Sequence, residues 1–291
     1  MMRSLMVGLG IALTAWRGVA TPVRVEWEPA ETMPVKAARP FHGFLADGSF
    51  LVAGGSDFVD GKKIYRTAIL RREKVGGWST VGELPHPVAE GVSCETPMGL
   101  FCAGGTDGTT ESRQAFLLKR DGTREVLPDL PAPVTMGAAA ADGAVVYVVG
   151  ADRLWRLPLT AARHWEDLGA LPGAPRRQHI AAIQNADQKE KALVVFGGYH
   201  PETMRPLHDG FALSLTRLPA IRWKALSPLP EATTTIGAAF LPSGHQHILL
   251  IGGFGEQGWI DRALNGSQEV DPVKLGWQRT ILAYNAVTDT W

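Results

Sequence analysis

The chain has 291 residues with 29 Lys+Arg against 29 Asp+Glu, so its formal charge is zero and the basic footprint of a nucleic-acid binder is lacking. That length suits one large all-β ring or two smaller domains. The 33 Gly and 20 Pro point to many tight turns rather than a helical bundle.

In chain order, the first segment reads as an address. Met1-Met2-Arg3 is a short basic end, Ser4–Trp16 is almost uninterruptedly apolar, and Gly18-Val19-Ala20 places small residues at a cleavage site. This predicts a signal peptide over residues 1–20 and a periplasmic or secreted domain over 21–291, with no membrane attachment after cleavage. An uncleaved anchor or a misassigned start codon is the competing reading.

A short strand, Val25–Trp27, follows, and then one pattern recurs five times. FLVAGG, GLFCAGG, AVVYVVG, ALVVFGG and HILLIGG each climb an apolar run into glycine, ending at Gly55, Gly105, Gly150, Gly198 and Gly253. A period of 45 to 55 residues built on short strands predicts a kelch-type β-propeller, all-β, with one four-stranded sheet per blade. Asp47-Gly48, Pro97-Met98-Gly99, Asp142-Gly143 and Pro242-Ser243-Gly244 are tight turns ahead of four of the runs, and the fourth repeat uses the longer loop Asn185–Lys191. The two inner strands, a and b, of each blade are therefore a hairpin. Strand c falls in Tyr65–Leu70, Arg113–Leu118, Arg153–Leu159, Gly210–Leu215 and Thr280–Tyr284.

Outer strand d is marked by a tryptophan seven residues ahead of a proline: Trp27 and Pro34, Trp78 and Pro85, Trp165 and Pro172, Trp223 and Pro230. The second repeat lacks the tryptophan but keeps Leu130-Pro131, and Trp291 ends the chain. These rings are expected to fill the wedges between splayed blades. Six d marks against five b strands predict a six-bladed propeller with about five blades present and most of the last one lacking. Cys94 and Cys102 lie symmetrically about Met98, so a cross-strand disulfide competes with two buried thiols.

Ligands of a propeller bind at the loops around its channel, which directs attention to b–c loops and to the starts of the innermost strands. Arg176 and Gln178 precede the fourth inner strand, with Arg39 and His42 near the first. Each competes with a structural hydrogen bond or ion pair between blades. His245-x-His247 at a hairpin turn lacks partners for a metal, and no cofactor is expected.

Several phrases resemble the bacterial kelch-type sialic acid mutarotases (N-acetylneuraminate epimerases), and most closely their cyclically permuted branch. They are Gly54-Gly55-Ser56-Asp57-Phe58 with Asp60-Gly61-Lys62-Lys63, Gly104-Gly105-Thr106-Asp107-Gly108, Pro175-Arg176 with Gln178, His208-Asp209-Gly210, and Ile281–Tyr284 with Thr288–Trp291. The resemblance runs from about Val25 to the end. It implies interconversion of the α and β anomers of N-acetylneuraminate outside the cytoplasm, with a small acidic sugar as the partner. Its catalytic signature is a Gly-Glu after a b strand with an Arg six residues beyond the Glu, and in the permuted branch this belongs to a last blade beyond Trp291. The similar spacing in this chain is Glu256 and Arg262, the candidate catalytic pair; Arg176, Gln178, Arg39 and His42 are candidate substrate-binding residues. A non-catalytic propeller that binds a glycan or protein is the alternative, and oligomeric state is not legible.

Overall fold

A computed structural model of the chain describes residues 30–160, 162–185, 190–267, 269, 271 and 273–291. The chain divides into Met1–Thr32 and Met33–Trp291, and the following concerns the second unit. The expected signal peptide and the expected Val25–Trp27 strand lie outside the described residues.

Five antiparallel sheets follow one another, in agreement with the repeat. The first blade is β1 (Phe41–Phe44), β2 (Phe50–Ala53), β5 (Ala68–Arg72) and β6 (Trp78–Glu83), with a small hairpin, β3 (Ser56–Val59) and β4 (Lys62–Tyr65), inserted between β2 and β5. The second is β7 (Val92–Thr96), β8 (Gly99–Ala103), β9 (Ala115–Leu118) and β10 (Arg124–Leu127). The third is β11 (Ala138–Asp142), β12 (Val145–Val149), β13 (Arg153–Pro158) and β14 (Glu166–Ala170). The fourth is β15 (Ile180–Asn185), β16 (Lys191–Phe196), β17 (Gly210–Ser214) and β18 (Trp223–Leu226). The fifth has three strands, β19 (Ala239–Ser243), β20 (His247–Ile251) and β21 (Ile281–Asn285), and a helix, α1 (Glu256–Ala263), between the last two. The fold is thus an all-β, kelch-type propeller with five blades present. The helix was not anticipated: eight residues are too few for a helical period to stand out in the sequence, and Trp259 and Ala263, one turn apart, pack it onto Tyr199 and Met204.

The apolar core is divided among the blade interfaces. Leu51, Ile69, Leu100 and Phe116 meet between blades one and two, and Phe101, Leu117, Val148 and Leu157 between two and three. Leu154, Leu193 and Leu213 lie between three and four, and Phe196, Ile248 and Tyr284 between four and five. Each such side chain, fully buried, contributes about 1.5–3 kcal/mol, so the arc is held by blade-on-blade packing. The innermost strands touch in succession from β1 through β7, β11 and β15 to β19. Among the described residues no comparable contact joins β19 to β1. Strand β1 leaves backbone donors on its free edge, and neighbouring side chains take them: His42 N–H donates to Ser93 Oγ at 3.0 Å and Phe44 N–H to Glu95 Oε1 at 2.8 Å.

The glycine pairs have a geometric reason. Gly54-Gly55, Gly104-Gly105, Gly197-Gly198 and Gly252-Gly253 all adopt left-handed φ between 65° and 96°. A Cβ on Gly54 or Gly104 would run into the carbonyl of Val88 or Val134, in the loop entering the next blade. Tryptophans fill wedges as expected in two blades. Trp165 packs edge-on to Phe101 and donates to Pro128 O at 2.9 Å, while Trp291 packs on Phe196 and donates to Ser227 O at 3.3 Å. Trp291 follows the turn after β21 and the bridge of Thr290 to Asn285, the place at which an outer strand starts in the other blades.

The symmetric cysteine register is corrected. The tight turn pairs Thr96 with Gly99, so Cys94 lies opposite Phe101 and Cys102 opposite Ser93. That one-residue offset sends the two thiols to opposite faces of the sheet. Cys94 joins the core shared with blade three and Cys102 the core shared with blade one; both are free.

Candidate functional site at the channel mouth

In an antiparallel blade, strand a begins at the end where b finishes and c starts. The loops entering each blade and the b–c loops therefore share one end of the propeller, and all six candidate residues lie there or next to it.

The structure organises this end around a feature that the sequence reading missed. Two residues before each innermost strand stands a residue with left-handed backbone: Arg39 (φ 51°), Glu90 (φ 66°), Met136 (φ 56°), Gln178 (φ 56°) and Gly237 (φ 70°). Four of the five are not glycine, and such strain concentrates at functional positions. Their backbones are linked circumferentially. Glu90 N–H donates to Arg39 O at 2.9 Å, Met136 N–H to Glu90 O at 2.7 Å, and Gln178 N–H to Met136 O at 2.7 Å. Thr235 Oγ1 continues the arc to Gln178 O at 3.0 Å. Aligning the glycine-ended runs does not expose this column, because its members stand 14 to 20 residues ahead of the closing glycines; the constant interval is from the start of the innermost strand.

The side chains of the arc differ in what they leave open. Glu90 is 7% exposed and pairs with Lys63 Nζ at 2.6 Å, which ties the β3–β4 hairpin to the mouth. Met136 Sδ accepts from Tyr199 Oη at 3.4 Å and Gln178 Nε2 at 3.6 Å, while Gln178 Oε1 is buried without a partner. Tyr199 stacks on Trp259 of α1 at 4.9 Å, and burial raises its pKa. Arg177 reaches Glu111 in the b–c loop of blade two at 3.2 Å. Arg39 is different: it forms no hydrogen bond or ion pair among the described residues. It is open to solvent, yet surrounding protein desolvates it and lowers its pKa, with Glu90 and Tyr199 opposing that shift.

The remaining candidates have distinct surroundings. Arg176 is fully buried, 0% exposed, and grips Asp209 with two bonds of 3.0 Å while donating to Gly197 O at 3.2 Å. Its guanidinium lies 5.3 Å from the Phe211 ring, so it is committed to blade four. His42 is inside β1, its Nδ1 3.2 Å from Pro40 O and its ring 6.2 Å from Phe50. It faces away from blade two and is not equivalent to Gln178; Arg39 is.

Glu256 is the first residue of α1, where a carboxylate suits the helix dipole, with Oε2 3.5 Å from His208 Nε2. Arg262 lies in the last turn and donates to Glu269 O at 3.0 Å. Six helical residues separate them by about 120° around the axis, and no bond joins them among the described residues.

Comparison with known proteins supports the fold and finds a distant similarity of sequence. No protein-family model matches the chain. A curated N-acetylneuraminate epimerase of Pasteurella multocida (strain Pm70) is 29% identical over 140 residues, 45% of this chain. The match spans 34% of that relative's length. The solved structure of YjhT matches with a TM-score of 0.64 at 12% identity, over 75% of this chain and 78% of that one, a likeness of fold. The chain is a kelch-type propeller with distant sequence similarity to N-acetylneuraminate epimerase.

Proposed function

We propose that this protein is an exported mutarotase of the cyclically permuted branch, acting on N-acetylneuraminate or a related acidic sugar at the channel mouth. The observation that carries the reading is Arg39, an open guanidinium that forms no hydrogen bond or ion pair among the described residues, set in an arc of strained residues. A guanidinium binds a carboxylate through two parallel bonds, and partial desolvation strengthens that grip. Gln178, whose buried Oε1 has no hydrogen-bond partner among the described residues, would accept from a sugar hydroxyl or amide once its side chain turns toward the channel.

Mutarotation requires a base to take the proton of the anomeric hydroxyl as the ring C–O bond opens, and an acid to protonate the ring oxygen. Reclosure on the other face reverses both transfers. Glu256 is the carboxylate offered for this, with His208 as its neighbour. Arg262 serves instead to close the far end of α1 on Glu269. A non-catalytic glycan-binding propeller is the second reading, favoured by the separation of Glu256 from Arg262.

The test is one-dimensional proton NMR of freshly released N-acetylneuraminate, following the decay of the α signal, together with calorimetric binding. Arg39→Ala is expected to weaken binding at least tenfold. Glu256→Gln is expected to slow anomerisation with little change in binding. Absence of any saturable binding refutes the mouth as an acidic-sugar site. Binding without accelerated anomerisation supports the non-catalytic reading. N-terminal sequencing of the host's protein is expected to begin near Thr21; a retained Met1 on soluble cytoplasmic protein would overturn export.

A further inference from the structure

A cavity opens among the loop entering blade two and that blade's b–c loop, to one side of the candidate residues at the mouth. It lies in the wedge between blades one and two, with a volume of about 180 Å3. A second cavity of about 170 Å3 shares Pro85, Gln114, Phe116 and Arg124 with it, so the two run together along the flank.

The repeat explains why space is left there. The outer strand of a blade carries a tryptophan seven residues ahead of its proline, and counting back seven from Pro131 reaches Arg124. The equivalent Trp165 lies between blades two and three. Arg124 instead faces blade one across the space: it pairs with Leu118, and Val126 with Phe116, on the side that forms the core with blade one. Its guanidinium stands 5.6 Å from the Phe116 ring and has no hydrogen bond or ion pair among the described residues. A cation stands at the interval where other repeats have an indole, and space is left beside it. Beside it Val126 remains 76% exposed.

The chemistry of the walls selects a ligand. Phe41, Leu84, Pro85, Val88 and Phe116 provide an apolar lining, and a cavity of about 150 Å3 is sufficient for a benzene ring. The unpaired guanidinium at one side calls for a carboxylate. Asp107 lines the other end but is occupied by Thr109 and Thr110 of its own loop, and Asp129 stands at the outer end. We propose that this wedge is a second binding site, for an aromatic monocarboxylate whose ring takes the place of the absent indole while its carboxylate meets Arg124. The site borders the mouth end but is lined by none of the six candidate residues there, and the proposal does not depend on the activity at the mouth.

The probe is indole-3-acetate, titrated by calorimetry and by NMR saturation transfer, with indole and acetate as controls. Expected is saturable one-to-one binding, with both controls at least tenfold weaker. Arg124→Gln should weaken binding at least tenfold. Arg124→Trp should restore the repeat's ring, abolish binding and raise Tm. Lack of saturable binding overturns the proposal, as does binding that persists in Arg124→Trp or acetate binding as tight as indole-3-acetate. The Tm of each variant separates loss of the site from loss of the fold.

Discussion

His179 should make this propeller acid-sensitive by an amount the structure sets. The residue follows Gln178 of the mouth arc and is 4% exposed, with Nε2 3.3 Å from Val149 O and Nδ1 unpartnered. Burial, helped by the nearby Arg176 cation, pushes its pKa from 6.5 down to about 3. The unfolded chain therefore binds a proton near pH 6.5 that the folded chain refuses until about pH 3, so stability falls as pH falls through that window. At about 1.4 kcal/mol per pH unit, the loss reaches about 2 kcal/mol at pH 5 and approaches about 5 kcal/mol near pH 3. Above pH 6.5 the contribution is absent. His179→Gln keeps a donor for Val149 and cannot titrate. Urea unfolding followed by tryptophan fluorescence at pH 7 and pH 5, where most carboxylates remain ionised, isolates the effect. Wild type is expected to lose about 2 kcal/mol more than the variant between the two. Parallel losses would refute the burial argument.

Three other outcomes follow from the same packing. Arg176→Ala removes a buried side chain together with its bonds to Asp209 and to Gly197 O, while water can reach the exposed Asp209 carboxylate, and it should cost about 2–4 kcal/mol in urea unfolding; a loss under 1 kcal/mol would return Arg176 to a ligand role. Trp259→Ala removes the ring that holds α1 to Tyr199 and Met204, and should cost about 3 kcal/mol. Its protease cleavage should concentrate around α1, and an unaltered cleavage pattern would show that the helix is held elsewhere. Because Cys94 and Cys102 face opposite sides of their sheet, excess dithiothreitol should leave Tm unchanged; a fall of several degrees would reinstate the disulfide.

The blade pattern was legible because it rests on short-range rules. Apolar runs ending in glycine locate the b strands, and paired glycines are required wherever two successive residues are left-handed against a neighbouring loop. Turn residues and the tryptophan–proline interval then place a and d. Arg39 and Gln178 could be singled out as mouth residues because their distance from a strand start is a local property.

Tertiary structure decided what depends on neighbours distant in sequence. Asp209, 33 residues on, takes up Arg176, whereas no neighbour among the described residues takes up Arg39. The tight turn shifts the β7–β8 register by one residue and separates the cysteines. Trp259 buries itself on Tyr199 and holds as helix a segment that reads as loop, which turns Glu256 and Arg262 apart. The absent tryptophan of the second repeat was visible in the sequence, but only the packing of blade one against blade two determines that space is left beside Arg124. Local chain geometry is written residue by residue, whereas burial and charge pairing belong to surfaces that meet only once the blades are assembled.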